Sequence, residues 1–276
     1  MYDDHMISKL FRSNPTYRKY LVQLLGKFTN KLDKNIVTNM YHMIKQNEPD
    51  EKIVNFIQKN RIGMEELKSE PRASRISNVL FQFLKKDLKP NIGAYLDIGC
   101  NNGLITVELG KKLNLKSSQI YGIDVEDFSG QKIIPVGGFV FSSYDGYNIP
   151  YTDDYFDLVT CLMTLHHIKH IDIILSEIKR VTKKHGLVLV KEHNAYSEEI
   201  DWLIFLKHLF YDVMDYNITY EEFIKTYFQK CYSKNQLVEL FKKYGFELVK
   251  LSGKKFLNRY HYSNPTQTFY ALFTKN

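Results

Sequence analysis

From Ile92 onward the chain alternates short apolar runs with amphipathic stretches, a rhythm that few architectures accept. The runs are Ala94–Ile98, Gln119–Ile123, Phe139–Phe141, Phe156–Cys161 and Gly186–Val190. Strands buried on both faces read as continuous apolar runs, and parallel neighbours need crossovers of a dozen or more residues, usually helical. The stretches between most runs are long enough for helices. Residues 91–276 are therefore expected to form one α/β domain, a doubly wound, seven-stranded, mostly parallel sheet. Near its end, Ser233 and Gln236 make a capping box, Leu237, Leu240, Phe241 and Tyr244 share a helical face, and Gly245 marks the stop. Phe246–Leu251 and Thr268–Phe273 then read as strands joined by a loop too short for a helical crossover, so they should pair antiparallel.

Residues 1–90 lack this rhythm. Ile53, Phe56 and Ile57, then Val79, Leu80, Phe83 and Leu84, recur at helical spacing, and breaks fall at Asn14-Pro15, Glu48-Pro49 and Glu70-Pro71. This segment is read as an N-terminal helical extension. It holds 17 Lys+Arg against 10 Asp+Glu, which is the whole of the net charge of +7. A basic segment suits a polyanionic partner such as RNA, although a solvated lysine-rich helical surface accounts for it equally well. The 44% hydrophobic and 25% charged residues exclude a disordered chain. No long apolar span and no secretory leader pattern is present, so no membrane partner is expected. Cys100, Cys161 and Cys231 are scattered and odd in number, against a disulfide framework or a metal site and in keeping with a reducing cytoplasm.

The chemistry concentrates in Tyr95-Leu96-Asp97-Ile98-Gly99-Cys100-Asn101-Asn102-Gly103, where an apolar run enters a glycine-containing turn and then an amphipathic segment. In a doubly wound sheet the first strand-to-helix turn is where a nucleotide-like ligand lies. The next run ends at Asp124, whose carboxylate there can accept both hydroxyls of a ribose or simply close a turn. The turn lacks the three glycines of a dinucleotide site and adds Asp97, which would repel a diphosphate and suit an ammonium group. S-adenosylmethionine is the cofactor this charge pattern favours.

These motifs resemble those of class I S-adenosylmethionine-dependent methyltransferases, over roughly residues 90–276. Asp97, Gly99 and Gly103 match the family's acidic first turn, with Asn101 where a glycine is usual. Asp124, followed by Val125, falls at the ribose-binding acid; Asp145, in Tyr144-Asp145-Gly146-Tyr147, resembles the residue near the adenine amine. The run from Ile149-Pro150-Tyr151 through Tyr155-Phe156-Asp157-Leu158-Val159, leading to Thr164-Leu165-His166-His167, resembles the fourth-strand motif. The resemblance implies a Rossmann-like fold and a cofactor site built from Asp97, Gly99, Asn101, Gly103, Asp124, Val125, Asp145, Gly146 and Leu165.

A fainter likeness points to messenger-RNA cap guanine-N7 methyltransferase domains of large cytoplasmic DNA viruses. It implies that His166, His167, Glu192 and Tyr270 face the acceptor, Glu192 by accepting from the guanine edge. Capped RNA would then be the substrate, and other capping domains or subunits the partners. Tyr262 joins Tyr270 as a candidate for stacking on the base, and Arg72 and Arg75 as candidates for phosphate contacts. Two alternatives stay open: a methyltransferase for a small metabolite such as a quinone or lipid precursor, and a catalytically silent module that retains the fold.

Overall fold

The computed structural model describes residues 3–28, 33–60, 70–125, 127–128, 131–215, 217–252 and 265–276. The apolar runs become the strands of one sheet: β1 (Tyr95–Ile98), β2 (Ile120–Asp124), β3 (Val140–Ser143), β4 (Phe156–Leu162), β5 (Thr182–His193), β6 (Phe246–Leu251) and β7 (Thr268–Lys275). Their spatial order is β3-β2-β1-β4-β5-β7-β6. The first five lie parallel, whereas β7 runs antiparallel to both β5 and β6. The chain reverses strand order at β1, placing the crevice beyond the carboxyl ends of β1, β2 and β4 where such sheets bind ligands.

The helices are α1 (Met6–Ser13), α2 (Pro15–Phe28), α3 (Lys34–Lys45), α4 (Asp50–Lys59), α5 (Glu70–Leu84), α6 (Leu104–Lys112), α7 (Ile171–Val181), α8 (Glu198–Asp215), α9 (Tyr220–Thr226) and α10 (Lys234–Lys243). Alternation along the strands sorts side chains to two cores. Tyr95, Leu158 and Leu189 pack with Leu80, Phe83 and Leu84 of α5 and Leu109 of α6. Leu96, Ile98, Val159, Val188 and Val190 face the other way, onto Ile174, Leu175 and Ile178 of α7 and Leu237 and Phe241 of α10. The expected capping box at Ser233 is present, with Gln236 N donating to Ser233 Oγ at 3.3 Å and Ser233 N donating to Gln236 Oε1 at 2.8 Å. Phe241 of α10 stacks on Phe273 of β7 with ring centroids 4.2 Å apart, fixing the inserted strand.

β5 begins four residues before the Gly186 run. A register shift against β4 between Phe156 and Leu158 absorbs the extra length. Gly186 sits in that irregularity, where a Cβ would meet the Lys183 carbonyl oxygen at 2.8 Å.

The chain forms two compact units, and they do not divide at residue 90. One comprises Leu67–Asn194, Phe228–Leu257 and Thr268–Asn276; the other comprises Met1–Glu66, Ala195–Tyr227 and Asn258–Gln267. Two physical causes move the boundary. α5 buries Leu80, Phe83 and Leu84 against the sheet and so belongs with it. α8 buries Ile200, Leu203, Ile204, Leu206, Leu209, Phe210 and Val213 completely, a broad apolar face that must be enclosed. Phe28 of α2 stacks on its Phe210 at 6.2 Å and meets Tyr211 edge-on at 5.2 Å. Among the described residues no helix is long and apolar enough to cross a membrane.

Candidate functional site

The turn after β1 takes three successive left-handed residues at alternate positions: Gly99 (φ 73°), Asn101 (φ 50°) and Gly103 (φ 81°). Each has its own reason. A Cβ on Gly99 would lie 2.3 Å from the Thr164 side chain, and one on Gly103 would lie 2.2 Å from the Phe139 ring, so neighbouring elements approach too closely for any side chain. Asn101 occupies the position by the tolerance of asparagine for left-handed backbone. Its N–H donates to Asp124 Oδ2 at 2.7 Å, and Asp124 Oδ1 accepts from Val125 N at 2.8 Å. The carboxylate at the end of β2 is thus gripped by backbone amides on both oxygens while keeping lone pairs for a ligand. Burial pushes its pKa up, and the two amides oppose that push.

Above this turn opens a cavity of about 450 Å³, within the sheet unit. Seven of the residues proposed from sequence line it: Gly99, Asn101, Asp124, Val125, Asp145, Gly146 and His167. Tyr144, Tyr147 and Thr164, which stand within the matched motifs, complete the wall with Leu162, Met163, Ile168, Lys169 and His170, which the sequence reading did not single out. Met163 has a φ of 63°, uncommon for a residue with a side chain, and its N–H donates to the Lys191 carbonyl at 2.8 Å. Tyr147 and His170 pair across the wall with ring centroids 5.2 Å apart. Asp145 is exposed and organises its own turn: Oδ1 accepts from Tyr147 N and Asn148 N, which holds its pKa below the usual range.

A cavity of this size, with a carboxylate at the end of β2, a backbone turn below and apolar and aromatic walls, fits a nucleoside bearing an amino-acid tail. The sequence profile of the methyltransferase domain family matches residues 69–251. The chain belongs to this family. It is an S-adenosylmethionine-dependent methyltransferase. A demethylmenaquinone methyltransferase from Lactobacillus johnsonii is 28% identical over 181 residues, spanning 61% of this chain and 73% of that protein. A ubiquinone/menaquinone biosynthesis C-methyltransferase from Burkholderia cenocepacia is 30% identical over 117 residues, 41% of this chain and 47% of that protein. An S-adenosylmethionine-dependent methyltransferase from Mesorhizobium loti shares 11% identity at a TM-score of 0.49, covering 71% of this chain and 98% of that one.

Within the methyltransferase, six expected site residues lie elsewhere. Asp97 is 2% exposed and sits under the turn, not in the cavity wall. Its oxygens accept from Thr106 Oγ1 at 2.6 Å and Thr160 Oγ1 at 2.5 Å, and Tyr95 in turn donates to Thr160 at 3.0 Å. The strand pleat turns Asp97 toward α6, so the expected contact with a cofactor ammonium is corrected to an internal network. Gly103 serves the approach of Phe139 and opens α6 as its N-cap.

Leu165, His166 and Glu192 are buried behind the cavity. Glu192 Oε1 accepts from Thr164 N at 3.0 Å and Leu165 N at 2.7 Å, while Oε2 lies 2.5 Å from His166 Nδ1. Instead of facing a guanine edge, Glu192 fastens the exit loop of β4. Tyr270 is a core residue: strand alternation turns its ring toward Phe83 at 5.6 Å, with Lys191 Nζ 5.7 Å from its centroid. Burial and the Arg72 guanidinium hold the Lys191 ammonium below its usual pKa. Arg72 and Arg75 are exposed on α5, and Tyr262 lies outside the described residues.

Burial raises the Asp97 pKa to about 6, against the two hydroxyl donors. A carboxyl that binds its proton more tightly folded than unfolded contributes most below its unfolded pKa, and that contribution is lost as pH rises to the folded value. Stability should therefore fall between about pH 3.8 and 6 through this group. Asp97→Asn, able to bond one threonine as acceptor and the other as donor, should remove that component. Urea midpoints of both proteins across this range measure it; parallel pH curves would contradict it.

Proposed function

We propose that the cavity over Gly99 and Asn101 holds S-adenosylmethionine and that the methyl acceptor is a small quinol-type ring, not the guanine of capped RNA. The reading rests chiefly on Glu192. The one carboxylate expected to accept from a guanine edge is spent on two backbone amides and His166. The acceptors in the names of the curated relatives are quinones, and apolar walls such as Leu162, Met163 and Ile168 suit a flat hydrocarbon ring.

In this reading Asp124 accepts the ribose hydroxyls, and Tyr144 packs against the adenine. The bound sulfonium supplies an electrophilic methyl carbon. The protein contributes orientation and exclusion of water: displacement in line needs the nucleophile held near 3 to 3.5 Å and collinear with the departing sulfur. Met163 and Thr164, clamped to β5 by Lys191 and Glu192, provide a rigid floor for that alignment.

The test is transfer from methyl-labelled S-adenosylmethionine to a dithionite-reduced prenylated dihydroxynaphthalene and, separately, to RNA with an unmethylated cap. Label is expected on the ring carbon of the quinol. Label on capped RNA alone would overturn the small-molecule reading.

A further inference from the structure

Methylating carbon on a hydroxylated ring requires electron density at that carbon, which an ionised ring oxygen supplies and a neutral one supplies poorly. A quinol acceptor therefore gains from a fixed cation beside its hydroxyl, where negative charge gathers. The cavity lies at the carboxyl ends of β1, β2 and β4, with Asp124 on its β2 side and Leu162 and Met163 on its β4 side. With the ribose at Asp124, the sulfonium end of the cofactor falls toward β4, and the next strand on that side is β5. The carboxyl end of β5 carries Lys191, a charged group that cofactor binding does not use.

Lys191 stands opposite Leu162 in the β4–β5 register and opposite Tyr270 in the β5–β7 register. Residues paired in this way project from the same face of a sheet, so Leu162 of the cavity wall, Lys191 and Tyr270 form one row. Neighbouring strands lie about 4.8 Å apart, within reach of the flexible four-carbon stem of a lysine. The side chain is half-buried, its Nζ 5.7 Å from the centroid of the Tyr270 ring. Among the described residues no carboxylate pairs with it. The charged groups facing it are Arg72 of α5, which repels it, and Glu192 of its own strand, whose oxygens are taken by Thr164, Leu165 and His166. Burial and Arg72 hold the Lys191 pKa below its usual range. An ammonium short of water, beside a second cation and without a paired carboxylate, is stabilised by any anion that reaches it. The lysine of the wall itself, Lys169, is exposed and belongs to the Asp145 side, next to His170, whose ring meets Tyr147.

We infer that Lys191 holds the acceptor of this methyltransferase, its ammonium binding the ionised ring oxygen of a quinol. The inference rests on the quinol reading of the site. The hydroxyl O–H bond breaks and its proton passes to solvent water, leaving an oxyanion paired with Nζ. The electron pair released into the ring forms the new carbon–methyl bond, and the methyl–sulfur bond breaks with its pair remaining on sulfur. The ring carbon then loses its hydrogen to water as a proton, and the ring oxygen takes one up on release, so that one proton is set free per turnover.

The experiment compares wild type, Lys191→Met and Lys191→Arg on reduced dihydroxynaphthalenes whose hydroxyls span a range of acidity. Near neutral pH, turnover of the least acidic quinol should drop by about 100-fold in Lys191→Met, the low end for a lost oxyanion donor. Lys191→Arg keeps the charge and should recover most of it. The deficit should shrink as the hydroxyl becomes more acidic and as pH rises, because the acceptor then ionises unaided. Calorimetric affinity for S-adenosylhomocysteine should stay unchanged. Independently of turnover, α-naphthol bound beside S-adenosylhomocysteine should ionise at lower pH than in water, read from the longer-wavelength absorption of the naphtholate, and Lys191→Met should abolish that shift. A deficit equal across the series and the pH range overturns the inference, as does cofactor affinity lost in step with turnover, or a naphthol whose ionisation wild type leaves unshifted. If wild type methylates the quinols and Lys191→Met matches it, the assignment of Lys191 falls and the acceptor reading stands. If wild type methylates none, the acceptor reading falls and the assignment with it.

Discussion

Glu192→Ala should lower the stability of the chain by about 3 kcal/mol or more, because three donors lose their acceptor at about 1 to 3 kcal/mol each. The carboxylate is 4% exposed and makes three contacts: two backbone amides of the β4 exit loop and the His166 ring. Removing it leaves two buried N–H groups and a buried imidazole nitrogen without their acceptor, and each such group costs about 1 to 3 kcal/mol. Glu192→Gln keeps one oxygen for the amides and should recover a large part of the loss. Because Thr164 and His167 of the same loop line the cavity, S-adenosylhomocysteine affinity should fall together with the urea midpoint in the alanine variant. A role confined to the acceptor predicts something else: unchanged stability and unchanged cofactor affinity, with only the methylated product lost. That outcome would contradict the placement of Glu192 as an anchor.

Gly99→Ala should be nearly as damaging, through strain instead of lost bonds. The residue has φ 73°, where a side chain costs roughly 1 to 2 kcal/mol. Its Cβ would fall 2.3 Å from both the Oγ1 and Cγ2 atoms of Thr164, so β1 and the exit of β4 must separate, and overpacking of this kind costs about 1 to 3 kcal/mol more. Thr164 is itself tied to Glu192, so the loop cannot yield without loosening that anchor. A fall of about 2 to 5 kcal/mol in stability is expected, from the sum of those two ranges. Pairing the change with Thr164→Gly should return part of it, since the clash goes and the backbone strain remains. Gly99→Ala with wild-type stability would show that the turn has room the structure denies.

The sheet was legible because its signal is local. Apolar runs of strand length, separated by helix-length stretches, specify a parallel sheet. Asp124 was legible for the same reason: it follows from its place at a strand end. What local pattern does not carry is the partner of a buried group. Glu192 and His166 stand 26 residues apart, and that their side chains face each other inside the protein follows only from the parallel pairing of β4 with β5. Asp97 reads as a ligand group because it is acidic and precedes the turn, yet the pleat sends its side chain to Thr106 and Thr160. Tyr270 looks like a stacking platform until its register beside Lys191 points it at α5. The apolar part of the cavity wall, such as Ile168 and Leu162, reads in sequence as ordinary core. The boundary at residue 90 followed the change in texture, whereas the compact units follow burial, which draws α5 to the sheet and α8 away from it.

The account depends most on the cavity at the ends of β1, β2 and β4 being the cofactor site, with Asp124 as the ribose anchor and Asp97 as internal support. Titration calorimetry of S-adenosylmethionine against wild type, Asp124→Ala and Asp97→Asn tests this in one series. Asp124→Ala should bind more weakly by about 1.5 to 3 kcal/mol, the value of hydrogen bonds to a charged group, or roughly ten- to a hundredfold. Asp97→Asn should bind within the error of wild type. Wild-type affinity in Asp124→Ala, with affinity lost in Asp97→Asn, would contradict it.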